Sequence, residues 1–298
     1  MQFIRSLLFI PANREKMLAK AASLPADGFI LDLEDSVPPA EKVAARATAR
    51  RYAQSIGGRA WIRVNAFDSG MLEDDVRATF GTPGLAGYLI PKIDTVEQVA
   101  ALDRLFGELE RAAGIAEGAT EVILIIESAR GVLFAHPLAT ASKRVASLIF
   151  GGARDADLMN DIGCAWSSDG PELMYARQHT LLSARAAGIA CALDSVYADV
   201  NDADGFRRDT VLSRRLGYRG RTVIHPAQIE IANDVYAPQP EELAYYRRVL
   251  DAFDAAVARG QASTTLDGRM IDVAMAVAAR RVIAQAEAFG IRYCPLSA

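Results

Sequence analysis

"EVILIIE", residues 121–127, decides the fold. The aliphatic run from Val122 to Ile126 stands between two glutamates with no polar residue inside it. A strand with one wet face alternates apolar and polar side chains. A run apolar on both faces belongs to a strand covered on both sides, as parallel strands under helices are. Seven other runs read similarly: "SLLFIP" (6–11), "GFILDLE" (28–34), "AWIRVN" (60–65), "GYLIPK" (87–92), "VASLIFGG" (145–152), "CALDSV" (191–196) and "TVIHP" (222–226). Between them lie stretches of helical spacing such as "TVEQVAALDRLFGELERAAG", where Thr95 and Gln98 suit a capping box and Gly114 a stop. Eight such units predict a (β/α)8 (TIM) barrel, for which about 250 residues is typical. An open doubly wound sheet is the competitor, but no GxGxxG follows a strand and no GxxxxGK[ST] occurs.

The tail after the eighth run is more than closure requires. "PEELAYYRRVLDAFDAAVARG" (240–260) reads as a helix, "QASTTLDG" as a loop, and "RMIDVAMAVAARRVIAQAEAF" as a second amphipathic helix. The expected division is a catalytic barrel over 1–238 and a helical extension or lid over 239–298. Met270, Ile271, Val273, Ala274, Val277 and Ala278 would give the last helix an apolar face, which predicts a homo-oligomer.

Composition narrows the function. A net charge of -4 from 33 basic and 37 acidic residues, interspersed, argues against a nucleic-acid scaffold. Cys164, Cys191 and Cys294 form no CxxC pair, so neither a disulfide framework nor a zinc site is expected. The N-terminal apolar run is too short for a signal peptide, and no window reaches the roughly 18 apolar residues of a membrane span. The expectation is a soluble, cytoplasmic protein.

In a barrel the chemistry sits at the C-terminal strand ends. Here those ends carry Glu34 and Asp35, Arg63 with Asn65, Lys92, Glu127, Asp155 and Asp157, Asp194 and His225. Carboxylates as crowded as Asp32, Glu34 and Asp35 demand a positive neighbour. Glu127 with Asp155 or Asp157, without clustered His or Cys, suits a hard cation such as Mg2+; salt bridges to Arg130 or Arg154 are the alternative. Lys92 could form a Schiff base, but beside Glu34 and Asp35 an ion pair is favoured. His225, before Pro226, reads as structural, and on position alone Arg5 is only an interfacial charge.

The segments "RSLLFIPANREKMLAKA", "DGFILDLEDSVPPAEK", "IRVN", "IPKI", "IIESARGV", "DSVYADVNDADGF", "GYRGRTVIHPAQI" and "GRMID" resemble the citrate lyase β-subunit-like proteins of the HpcH/HpaI aldolase superfamily, relatives of malyl-CoA and citramalyl-CoA lyases. The resemblance runs from Arg5 to about Asp272. It implies a (β/α)8 barrel, a bound Mg2+ (or Mn2+), and metal-dependent C–C cleavage or formation on a CoA thioester such as malyl-, citramalyl- or citryl-CoA, giving an acyl-CoA and a 2-oxo acid. By similarity Glu127 is a metal ligand that also meets substrate. Arg63 is the substrate-binding and catalytic arginine, Arg5 and Lys92 join the substrate, Glu34 orients arginines or holds a water, and Asp272 is a catalytic lid residue. The segment "FGGARDADLMNDIG" is longer than the family pattern; counting back from Gly163 makes Asp157 the second ligand, counting forward from Phe150 makes it Asp155. A homotrimer or hexamer is implied, with an acyl-carrier partner in true citrate lyases. Two rival readings are a CoA-independent aldolase on hydroxy-oxo acids and a non-catalytic CoA-binding barrel subunit.

Overall fold

The computed structural model describes residues 3–290; Cys294 lies outside them. The chain forms two compact units, one ending at Asn233 and the other beginning at Asp234.

The first unit is a closed barrel of eight parallel strands in sequence order. They are β1 (Ser6–Pro11), β2 (Gly28–Asp32), β3 (Ala60–Arg63), β4 (Leu85–Ile90), β5 (Glu121–Ile126), β6 (Val145–Phe150), β7 (Leu193–Asp194) and β8 (Gly220–Val223). β8 closes on β1 through the pairs Ser6 with Arg221, Leu7 with Thr222 and Leu8 with Val223. Helices follow the strands, and the Val96–Ala113 helix carries the Thr95/Gln98 capping box and stops at Gly114 in the left-handed conformation. Among the described residues no helix is long and apolar enough to cross a membrane.

Alternate residues of a strand face the barrel axis. Leu7, Ile30, Trp61, Leu89, Ile123, Ile149 and Leu193 meet there as one buried cluster. Each such fully buried side chain contributes about 1.5–3 kcal/mol by removal from water. Trp61 is too large for an even layer, and β4 yields to it. A Cβ on Gly87 would stand 2.6 Å from the Trp61 ring and 2.4 Å from the Glu121 carbonyl oxygen.

The second unit departs from expectation. Its first helix spans Pro240–Ala258, but the expected loop and the start of the expected last helix form a hairpin, β9 (Thr264–Leu266) with β10 (Arg269–Ile271). Asp267 (φ 50°) and Gly268 (φ 75°) make its turn, the two successive positive φ values that tight hairpins favour. The last helix therefore starts only at Val273. The expected apolar face is divided. Ile271 is buried with Val249, Phe253, Ala276 and Ala279, whereas Met270, Val273 and Val277 stay exposed.

Candidate active site

The two-residue period that fills the barrel also delivers its polar rim. Ile123 and Ile125 point inward on β5, and the next residue of that parity is Glu127. Trp61 is followed by Arg63, and Ile30 by Asp32. Strand register sets Asp32 directly opposite Arg63.

Asp32 organises the arginine. Its two oxygens accept from Arg63 Nε at 2.7 Å and from a terminal nitrogen at 2.8 Å, the planar fork that guanidinium and carboxylate share. The same carboxylate accepts the Glu34 amide at 2.9 Å, the Ser36 amide at 3.2 Å and the Ser36 hydroxyl, tying down the acidic loop. Burial opposes ionisation of Asp32, but Arg63 and these donors outweigh it and hold its pKa below the ordinary value. Arg63 also lies over the Phe9 ring at 4.9 Å and brings its other terminal nitrogen within 2.7 Å of Glu34. With its face on an aromatic ring and its edge on a carboxylate, the guanidinium has almost no freedom.

Glu34 is the strained member. Its two oxygens are buried, one in an ion pair with Arg63 at 2.7 Å and the other in an ion pair with Lys92. Burial, reinforced by Asp35 and Asp32 against Arg63 and Lys92, raises its pKa. Lys92 Nζ stands 3.3 Å from Glu34, 3.7 Å from Asp157 and 3.9 Å from Asp35, the ion pairing expected of it. Burial would lower its pKa, but these acids push it up to about 12, so at neutral pH it is an ammonium and not a nucleophile. Lys92 also adopts a positive φ of 53°, uncommon for a side-chain-bearing residue. That conformation accompanies a 2.8 Å hydrogen bond from its amide to Glu127 Oε1.

Glu127 faces a cavity of about 510 Å³ that Asp157, Arg63 and Asp35 also line. Gly151 of the neighbouring strand end gives it room, since a Cβ there would lie 2.5 Å from that of Glu127. Burial first, and the charge on Glu34 second, push the Glu127 carboxyl up to about 7. Asp157 opens the short helix Asp157–Ile162 and is half-exposed to the cavity. Asp155 is different: at φ 58° its side chain is 78% exposed and pairs with Arg154 at 3.3 Å.

The raised Glu127 pKa makes a prediction about stability. The folded protein holds this proton between pH 4.5 and about 7 while the unfolded chain has released it, so stability falls as pH rises through that window. In water-accessible surroundings the ionised carboxylate costs about 1–3 kcal/mol. Metal-free Glu127→Gln should therefore melt above the parent at pH 8, with the gap closing by pH 4.5. A gap independent of pH would show that Glu127 carries no such penalty.

Not every expected residue arrives. Arg5 sits just before β1, at the N-terminal end of the barrel, where its guanidinium and amide hold Asp27 at 2.7–2.8 Å. It is absent from the rim because parallel strands put their two ends on opposite faces, which corrects the expectation that it meets substrate. Asp194 is also no rim charge: fully buried, it pairs with Arg177. His225 accepts the Ala227 amide at Nδ1, a structural bond. Asp272 belongs to the second unit, where its carboxylate accepts the Ala274 and Met275 amides and caps the last helix. Lys42 donates to the Leu33 and Glu34 carbonyls at 2.9 and 2.7 Å and to Asn65 at 2.5 Å, bracing the acidic loop. Asp32 is the residue the sequence reading left without a role; its inward parity with Ile30 was visible, its register against Arg63 was not.

A parallel (β/α)8 barrel with one arginine held among three carboxylates at its C-terminal rim has the form of a barrel enzyme. The chain belongs to the HpcH/HpaI aldolase/citrate lyase family, which it matches over residues 5–226. Residues 172–291 also match the C–C bond lyases of the TIM-barrel fold. The chain is 35% identical to citrate lyase subunit beta of Escherichia coli (strain K12) over 97% of its own length and 95% of that protein. It is equally 35% identical to a (3S)-malyl-CoA thioesterase of Cereibacter sphaeroides (strain ATCC 17025), over 95% of both chains. The structure of CitE from Mycobacterium tuberculosis in complex with magnesium, acetoacetate and coenzyme A superposes with a TM-score of 0.74 and 30% identity, over 95% of this chain and 97% of that one.

Proposed function

We propose that the protein is a Mg2+-dependent carbon–carbon lyase that cleaves, or forms, a β-hydroxyacyl-CoA thioester of the malyl, citramalyl or citryl kind, with an acyl-CoA and a 2-oxo acid as the other partners. The observation that carries this reading is the Arg63 clamp facing Glu127 and Asp157 across one cavity.

The residues fit the metal. Among the described residues no three His, Cys, Asp or Glu converge on one point, so protein ligands would be Glu127 and Asp157, with water and substrate completing the shell. Mg2+ suits such a site because it keeps several waters and takes one or two carboxylates. Glu34, Asp35, Glu127 and Asp157 stand near one another with, among the described residues, only Arg63 and Lys92 as cations between them, which leaves negative charge in excess. When bound, the ion supplies Lewis-acid polarisation of the oxo-acid oxygens and a template for chelation.

The chain's own groups do the rest. As the C–C bond breaks, its electron pair moves into the thioester as an enolate, and the hydroxyl proton leaves. Three of the five guanidinium N–H groups of Arg63 face Asp32 and Glu34. The remaining ones are donors for the enolate oxygen, where charge develops. Glu34, buried against Arg63, fixes the guanidinium in place, and the hydroxyl proton passes to water in the cavity, from which one returns to the enolate carbon. Lys92 keeps Glu34, Asp35 and Asp157 from repelling one another.

Product analysis tests the reading. Malyl-, citramalyl- and citryl-CoA, and free 4-hydroxy-2-oxo acids, are incubated with protein and Mg2+ and separated by chromatography. Acyl-CoA plus a 2-oxo acid is the expected outcome. Free CoA plus the intact hydroxy acid would mean thioester hydrolysis, and turnover of the free acids alone would mean a CoA-independent aldolase.

A further inference from the structure

Glu127 and Asp157 reach the proposed metal site by different routes. Glu127 directly follows β5, and the loop after β4 holds it on one side. The Lys92 amide donates to Glu127 Oε1 at 2.8 Å, and the Ser128 hydroxyl donates to Asp94. Asp157 has no strand directly behind it. Residues 151–156 separate it from β6 in neither helix nor strand, and they include Gly151, Gly152 and the left-handed Asp155. Glycine leaves a chain many conformations, so the path out of the barrel does not by itself fix where Asp157 stands.

The helix Asp157–Ile162 must therefore be placed by its own contacts. At six residues it is too short to be stable alone. Leu158 and Met159 are buried and anchor one side of it. Asp157 and Asp161, four residues apart, share another side. There Asp161 Oδ2 accepts the Ala129 amide at 2.7 Å. Ala129 lies two residues past Glu127 and opens the helix Ala129–Leu133, whose Ser128 cap accepts the Gly131 amide at 2.8 Å. Water could satisfy the exposed Ala129 amide. An acceptor taken instead from Asp161 joins the helix that bears Asp157 to the strand end that bears Glu127. All three carboxylates line a cavity of about 400 Å³. Among the described residues no three acids converge on one point, so Asp161 is not a third ligand.

Resting on the metal site of the lyase reading above, we infer that Asp161 is a positioning residue for the Glu127–Asp157 pair. It sets the separation of the two ligands by tying their loops together, and it does so through the Ala129 amide rather than through its charge.

Magnesium titration calorimetry of the full chain tests this on the parent, Asp161→Ala and Asp161→Asn. Asparagine removes the charge but keeps an oxygen that can accept the Ala129 amide, whereas alanine removes both. Alanine should weaken Mg2+ binding about 10–100-fold, the range for groups that support a ligand. Asparagine should stay within a few-fold of the parent. Asp161 is exposed, so both variants should fold, and melting of the metal-free proteins is the control. Asparagine as weak as alanine would mean that charge and not placement matters, which overturns the inference. Alanine binding Mg2+ as the parent does, whatever its melting temperature, would reduce Asp161 to a helix cap and equally overturn it. A parent that binds no Mg2+ would overturn the metal reading itself, and this inference with it.

Discussion

Arg63→Lys is expected to lower kcat/KM by about 100-fold or more while the protein still folds, the loss that follows removal of one preorganised donor to a developing oxyanion. Lysine keeps the charge but not the fork. It cannot make the two parallel bonds to Asp32 and still present a donor to substrate, and a point ammonium does not lie flat over Phe9 as the guanidinium does. The deficit should fall mainly in kcat, because the interaction strengthens as charge reaches the thioester oxygen. Arg63→Ala is a poorer probe. It strands Asp32, which is buried, and breaking a buried pair costs about 3–5 kcal/mol. Steady-state kinetics of the lysine variant, with circular dichroism as the folding control, checks the point. Unchanged kcat would remove Arg63 from the chemistry.

Asp157→Asn should weaken Mg2+ binding at least about 100-fold, beyond the 10–100-fold typical of groups that only support a ligand. Asp155→Asn should leave it within a few-fold. The difference follows from placement. Asp157 lies on the cavity with Glu127 and within 3.7 Å of Lys92, whereas Asp155 points to Arg154 in solvent. Asparagine is the right replacement at both positions. It keeps the shape, and at Asp155 it tolerates the positive φ that alanine would resist. Magnesium titration calorimetry of the two variants decides between them, and the reverse ranking would make Asp155 the ligand.

The barrel was legible because its evidence is local. Eight runs, most of them apolar on both faces, need no tertiary information to be read as covered parallel strands, and each overlaps an observed strand. Boundaries were less so. The run 191–196 holds only a two-residue strand, and β8 begins at Gly220, earlier than its aliphatic core suggests, because the Arg221 amide already pairs with the Arg5 carbonyl. In the second unit the Asp267-Gly268 turn signal was present, but helical periodicity from Arg269 onward outweighed it in the reading. The same division holds at the site. Inward parity along β3 and β5 points Arg63 and Glu127 at the axis from sequence alone. Which strands face which, and so the pairing of Asp32 with Arg63, is a property of register that no single segment encodes. Arg5 shows the complementary error: a motif carries a residue's identity but not which end of its strand the side chain occupies.

In the proposed mechanism Glu127 and Asp157 hold a divalent cation without which Arg63 has no substrate to act on. The most direct measurement is formation of 2-oxo acid from the preferred thioester after treatment with EDTA, after restoration with Mg2+ or Mn2+, and in the presence of borohydride. The account predicts turnover abolished by chelation, restored by either metal, and no borohydride adduct on Lys92, whose amine is held as an ammonium by Glu34, Asp35 and Asp157. Full activity in EDTA with a trapped Lys92 would contradict it.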